Sequence, residues 1–305
     1  MSTVARPPEV TVVGSLNVDH VLEVRRLPEP GETVLGSDLR EFAGGKGSNQ
    51  AVAAARLGRD VAIVGLVGDD HPAGVLRETL RAEGVGQDAL GESEGARSGV
   101  AYILVDEAGE NTVVVSPGAN ARLTADDVRA AGDVVRRADV VVVQMEIPED
   151  AVDEAVRLAE GTVVLNPAPA RPVDQETLRQ VDVLVPNRSE LGVLAGAPEP
   201  RTIDEATELA RSLDGPRAVV VTLGSDGALL VDGDSHTHVP ASEVEVADPT
   251  GAGDTFCGAL ADALVRGTDT LDAVRWAVQA SARAVTALGA QAAMPTAEQV
   301  HSPPQ

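Results

Sequence analysis

Short runs of β-branched and aliphatic residues recur along the chain: "EVTVVG" (9–14), "DVAIVGLVG" (60–68), "DVVVVQM" (139–145), "TVVLN" (162–166), "VDVLVP" (181–186) and "AVVVTLG" (218–224). Most are continuously apolar, as strands covered on both faces are. Between them lie segments of helical character, at 47–57, 72–83, 124–137, 149–160, 202–213, 252–266 and 270–288. Strand–helix alternation of this kind predicts an α/β fold with a doubly wound, mainly parallel sheet. In such sheets ligands collect at the carboxyl ends of the strands.

Two pieces break the alternation. Residues 16–43 are a long excursion containing "LPEPGETVLG", and 98–116 read "SGVAYILVDEAGENTVVVS", two alternating strands around the turn "DEAGEN". Both are expected to form a small β flap beside the main sheet; a pair of extra edge strands is the plainer alternative. A strand is expected to end near Ala247. The tail "TAEQVHSPPQ" is short, polar and Pro-ended, and is expected to fray. Without repeats or low-complexity segments, residues 1–305 are expected to make one domain.

Charge narrows the function classes. The 24 Lys+Arg stand against 48 Asp+Glu, a formal net charge of -24, which disfavours a nucleic-acid partner needing a basic face. Small anions remain possible ligands, because a cradle of backbone N–H groups holds them even in an acidic protein. Cys257 is the single cysteine, so no intramolecular disulfide or Cys-based metal site exists. No stretch has signal-peptide or transmembrane character, so a cytoplasmic location away from membranes is expected. The five histidines have no metal-ligand spacing, and "HTH" at 236–238 is most simply a surface strand.

Four stretches carry candidate chemistry. In "EVADPTGAGDTFCGALADAL" (245–264) a Gly-rich turn presents the N–H groups of Gly251, Ala252 and Gly253 at a helix N-terminus, where phosphate charge is stabilised. Asp254 follows in the first turn, placed to take a proton from an attacking hydroxyl. The plainer reading is a helix capped by Thr250 or Asp254. In "GSLNVDH" (14–20), Asn17 and Asp19 are spaced i, i+2 and share one side of an extended chain, an amide and a carboxylate suited to sugar hydroxyls or to a turn.

The third stretch is "FAGGKGSNQAVAAARLG" (42–58), where Ser48 or Asn49 can cap the helix and Lys46 is the only lysine of the chain. A lysine among glycines, in a protein that otherwise uses arginine, points to a site rather than to solvated surface. The fourth is "VPNRSELGVL" (185–194), where Asn187 and Glu190 at i, i+3 either hold waters around Mg²⁺ or form an N-cap with its capping glutamate. Glu146 in "QMEIP" and Asn166 in "NPAPA" sit at corresponding strand ends, and "TLGSDG" (222–227) could lie along a nucleotide.

"GSLNVDH", "PGETV", "GGKGSNQAVAAARLG", "NPAPAR", "TLGSDG", "PTGAGDTFCGAL" and "AVTALGAQ" occur in the order and spacing of the ribokinase-like carbohydrate kinase family, and the resemblance spans about residues 10–295. It implies an α/β three-layer sandwich with a small β-sheet lid, at about 16–43 and 98–116, through which members often form homodimers. It also implies transfer of the γ-phosphoryl group of ATP, with Mg²⁺, to O5 of D-ribose. Carried onto this chain, Asn17, Asp19, Gly45, Lys46, Asn49 and Glu146 line the sugar site, together with Asp254 as base. Gly251, Ala252 and Gly253 form the anion hole. Asn187, Thr222, Gly224, Gly227 and Gly253 serve ATP, and Glu190 serves Mg²⁺ through water.

The resemblance further implies a monovalent-cation site, K⁺, from Asp248 with the carbonyls of Thr250, Ala284 and Gly289. Three features depart from the family pattern: Pro249 stands in place of a threonine, Ala293 in place of a serine near the cation, and the C-terminal helix is abbreviated. A methyl cannot ligate, so K⁺ activation follows less directly than phosphoryl transfer. Fructokinase, keto-deoxygluconate kinase and nucleoside kinase are the family alternatives, and a non-catalytic sensor is the alternative outside them. Phe42, Tyr102, Phe256 and Trp276 are the only aromatic residues, few for a nucleobase platform worth about 1–3 kcal/mol per stacked base.

Overall fold

The computed structural model describes residues 7–302. The first half runs β1 (Val10–Val13), β2 (Asn17–Glu23), β3 (Arg40–Gly44), α1 (Lys46–Arg56), β4 (Val61–Gly68), α2 (His71–Ala82), β5 (Leu90–Ser93), β6 (Gly99–Val105) and β7 (Asn111–Ser116). After a 3₁₀ turn at Gly118–Arg122 come α3 (Ala125–Ala130), α4 (Gly132–Arg136), β8 (Val140–Gln144), α5 (Glu149–Leu158), β9 (Thr162–Asn166), α6 (Gln175–Leu178) and β10 (Val183–Leu184). The chain continues through α7 (Arg188–Ala195), α8 (Ile203–Ser212), β11 (Ala218–Thr222), β12 (Ala228–Asp232) and β13 (Ser235–Val239). It closes with α9 (Ala252–Val265), α10 (Thr270–Ala284), α11 (Ala290–Ala293) and α12 (Ala297–His301).

The main sheet has nine strands in the order β13-β12-β11-β10-β9-β8-β1-β4-β5. All of its pairings are parallel except β11–β12 and β12–β13. Alternation of side chains sends Val10, Val12, Val142 and Val220 into one core with α1, α2, α9 and α10. Val13, Val141, Val143 and Leu165 enter a second core with α3 and α5 on the opposite face. Helices therefore cover both faces, which is why the strands read as unbroken apolar runs.

A smaller sheet has the order β3-β2-β6-β7. β2 pairs with β3 antiparallel and with β6 parallel, and β6 and β7 form the hairpin expected from "DEAGEN". The flap therefore forms a separate sheet rather than extra edge strands. β1 sits between β4 and β8, so the strand order reverses there, and such reversals open a crevice at the carboxyl ends.

Four expectations need correction. Residues 240–251 contain no strand; the N–H groups of Ala247 and Asp248 both donate to the Val285 carbonyl instead of a sheet neighbour. The helical segment 124–137 is two helices that meet at Ala131–Gly132. The segment 270–288 stays helical only to Ala284. The tail is ordered through α12, where Thr296 and Gln299 form a capping box, so Ala297–His301 is helix rather than frayed chain. Residues 303–305 lie outside the described residues.

Candidate active site

α1 and α9 bring the site together. Gly258 of α9 lies so close to α1 that a Cβ there would stand 2.5 Å from Ala53 Cβ and 2.8 Å from the Gln50 carbonyl oxygen. This contact, possible only without a side chain, brings the two helix N-termini to the carboxyl edge of β1 and β8.

The N-terminus of α1 is laid directly on the chain leaving β1. A Cβ on Gly45 would stand 2.6 Å from Asn17 N, and one on Gly47 would stand 2.6 Å from Ser15 N. Lys46 is the one residue of that turn with a side chain, and it is half-buried. Neither Ser48 nor Asn49 caps α1: the N-cap is Gly45, with no side-chain cap. Both are instead buried in the site, and Gln291 Nε2 donates to Ser48 Oγ at 2.9 Å and to Asn49 Oδ1 at 3.0 Å.

Asp254 is buried in the first turn of α9. It does not cap that helix; the N-cap is Gly251, at φ 78°, without a side-chain cap bond from Thr250 or Asp254. Asp254 turns toward α1 instead. Its Oδ2 accepts from Asn49 Nδ2 at 2.9 Å, and its Oδ1 accepts from Gln50 Nε2 at 3.1 Å.

Charged groups gather around this carboxylate. Glu146, just past β8, accepts from Ser15 Oγ at 2.6 Å and from the Lys46 backbone N–H at 3.2 Å. Asp19 on β2 is pushed up to about 7, first by burial and then by the charges of Glu146 and Asp254. Burial opposes the charge on Lys46, but the carboxylates of Asp254, Glu146 and Glu190 outweigh it and hold the ammonium above its ordinary range. Burial also raises Glu190, against its backbone bond with Asn187 and the charge of Lys46. Cys257 is fully covered and its thiol is raised by burial, so it takes no part in chemistry at neutral pH.

Two further groups flank this centre. Asn187 caps α7, accepting from Glu190 N at 2.8 Å, while its own N–H and Nδ2 donate to the Glu190 carboxylate at 2.8 and 2.9 Å. Asn187 and Glu190 therefore form the N-cap and capping glutamate of α7. Asn187 also bridges to Thr222 at the end of β11, which leads to Gly224 and Gly227. Beside α9, Asp248 accepts from Thr250 N at 2.9 Å and from Gly289 N at 2.8 Å. Burial opposes the charge on Asp248, yet the Thr250 side chain and these two backbone N–H groups hold its carboxyl below the usual range.

Sequence reading missed Gln50, Ser15, Asn120 and Gln291. Gln50 had a signal, because an amide opens an otherwise alanine-rich buried helix. Asn120 had none. It reaches 103 positions back, donating from Nδ2 to Asn17 Oδ1 at 2.8 Å and thereby fixing the start of β2.

A family model of pfkB family carbohydrate kinases matches residues 7–297. The chain belongs to that family. The ribokinase of Bacillus subtilis (strain 168) is 41% identical over 294 residues, 95% of this chain and 97% of the relative. Among solved structures, ribokinase from Thermotoga maritima superposes with a TM-score of 0.88 at 34% identity, over 96% of this chain and 98% of that one. Arabidopsis thaliana ribokinase complexed with ribose and ATP gives 0.87 at 32% identity, over 96% and 97%. The pfkB kinase fold thus accounts for both sheets. No helix among the described residues is long and apolar enough to cross a membrane.

Proposed function

We propose that the chain transfers the γ-phosphoryl group of ATP to O5 of D-ribose, with Asp254 as general base. One observation carries this reading: Asp254 stands in the first turn of α9, held as an acceptor by Asn49 and Gln50, beside the N–H groups of Gly251, Ala252 and Gly253. A carboxylate there takes the proton of the attacking hydroxyl as the new O–P bond forms. The bond from the γ-phosphorus to the β–γ bridging oxygen breaks, and ADP leaves. The helix N-terminus meanwhile stabilises charge on the phosphoryl oxygens.

Asn17, Asp19, Gly45, Lys46, Asn49 and Glu146 form the sugar side, where amides and carboxylates can pair with ring hydroxyls as donors and acceptors. Lys46 supplies the one ammonium in a ring of carboxylates, a point charge beside the transferred group. Asn187, Thr222, Gly224 and Gly227 form the nucleotide side. The name of the Bacillus relative and the ribose and ATP bound in the Arabidopsis neighbour support both substrates.

Mg²⁺ fits beside Glu190, whose half-buried carboxylate is a hard oxygen donor facing Lys46 and Asp254. Bound with ATP, it would neutralise phosphate charge. A monovalent cation such as K⁺ fits the Asp248 loop, where the carboxylate and the carbonyls of Thr250, Ala284 and Gly289 are oxygen donors, while Ala293 adds none. The cross-strand pair Tyr102 and Val114 leaves one face of the small sheet exposed, and a second copy of the chain is the proposed cover.

The test is ADP release with Mg·ATP across ribose, deoxyribose, fructose, keto-deoxygluconate and adenosine, with and without K⁺. The expected result is the highest kcat/KM with ribose. A different preferred sugar would overturn the pocket assignment, and silence with every substrate would favour a sensor.

A further inference from the structure

The Val185 carbonyl, at the end of β10, begins a chain of hydrogen bonds that ends on Asp254. A carbonyl only accepts, so Asn166 turns its Nδ2 toward Val185, at 2.9 Å. That leaves Asn166 Oδ1 facing Gln50, which must present its amide nitrogen, at 3.2 Å. The second hydrogen of Gln50 Nε2 then points at Asp254 Oδ1, at 3.1 Å. No link can flip without stranding a buried group. A second chain reaches the other oxygen: Gln291 Nε2 donates to Asn49 Oδ1, and Asn49 Nδ2 donates to Asp254 Oδ2.

We infer that Gln50 is a positioning residue that fixes the plane of the Asp254 carboxylate and supplies one of its two side-chain N–H donors. Gln50 is fully buried beneath Asp254, its Oε1 has no hydrogen-bond partner, and none of the chemistry described above needs it to touch substrate. With one oxygen tied on each side, the carboxylate cannot rotate, and its remaining lone pairs stay aimed into the site. In general an N–H donor favours the charged form of a carboxyl group, the form a general base needs. This inference rests on Asp254 being the base.

Gln50→Leu keeps the shape and removes the donor. Losing a hydrogen bond to a charged group is expected to move the acid limb of the kcat–pH profile up by about one pH unit. The KM values for sugar and ATP should stay within about twofold. Asp19, Lys46, Glu190 and Cys257 also face Asp254, with Glu146 beside them, and all are common to variant and parent. Asn166→Ala, which leaves α1 untouched, is expected to shift the limb the same way by less. Gln50→Glu, which sets a second carboxylate against the first, is expected to shift it more.

A ¹³C carboxyl NMR titration, assigned with Asp254→Asn, reads the Asp254 ionisation without turnover. An upward shift in Gln50→Leu supports the inference. An unchanged Asp254 titration and acid limb in folded Gln50→Leu would overturn it. Silence of the parent enzyme with every sugar would sink the base assignment alone, because the NMR titration still reports on the hydrogen-bond chain.

Discussion

Asn49 and Asp254 lie 205 positions apart in the chain, and the Nδ2 of one donates to the Oδ2 of the other at 2.9 Å. The contact ties the first turn of α1 to the first turn of α9. A glycine-rich turn that lies on β1 and a helix N-terminus suited to anions therefore share one carboxylate. Asp254→Asn keeps the size of the side chain and removes the proposed base. The kcat is expected to fall about 10²–10⁴-fold with the KM for ATP little changed. Steady-state kinetics beside a thermal melt would check this, and retained kcat would remove Asp254 from the chemistry.

Gly258 makes that shared carboxylate possible. Gly258→Val would press a branched side chain into Ala53 and the Gln50 carbonyl, which are packed backbone and core and cannot swing away. The expected cost is about 1–3 kcal/mol of stability, from overpacking. Activity should fall further than stability explains, because displacing α9 from α1 lengthens the bonds to Asn49 and Gln50. Denaturant unfolding and kcat on the folded fraction separate the two effects.

Asp19 gives a pH signature. Its folded carboxyl titrates at about 7, well above its ordinary value, through burial and the charges of Glu146 and Asp254. Between the ordinary carboxylate range and pH 7 the folded state holds a proton that the unfolded state has lost. Stability of the free protein therefore declines as pH rises through this window, and the Asp19→Asn variant should lack that decline. Sugar binding should run the other way, because an ionised Asp19 accepts stronger hydrogen bonds from hydroxyls. The sugar KM is expected to fall from pH 6 to pH 8 in the parent and stay flat in Asp19→Asn. A flat parent profile would remove Asp19 from sugar contact.

The alternation of apolar strands and amphipathic helices made the main sheet legible, and "DEAGEN" between alternating runs made the β6–β7 hairpin legible. These are local patterns with fixed periods. The apparent strand ending near Ala247 misled because the N–H groups of Ala247 and Asp248 bond to Val285, a partner that no local pattern announces. The glycines before Asp254 announced a turn and a helix start, and the structure buries Asp254 in that first helical turn. Its direction was not legible: an acidic residue in a first turn reads equally well as a cap, and only the approach of α1 decides between them. Gln50 and Asn120 stayed hidden for the same reason, since their partners are about a hundred or more positions away.

Gly253 separates stability from catalysis most cleanly. It is the second residue of α9, its φ is not positive, and a Cβ built on it meets no atom within 4 Å. Alanine at this place suits a helix better than glycine, by up to about 1 kcal/mol. Gly253→Ala is therefore expected to melt no lower than the parent. On the proposed reading a phosphoryl oxygen approaches the N–H groups through this open space, and a methyl there would hold it away. The kcat should fall at least tenfold, on the order of the loss of one oxyanion donor, while the sugar KM stays near its original value. A variant that melts higher and keeps full kcat would mean that the transferred phosphate does not meet this turn, and the anion hole would have to be sought elsewhere along the crevice.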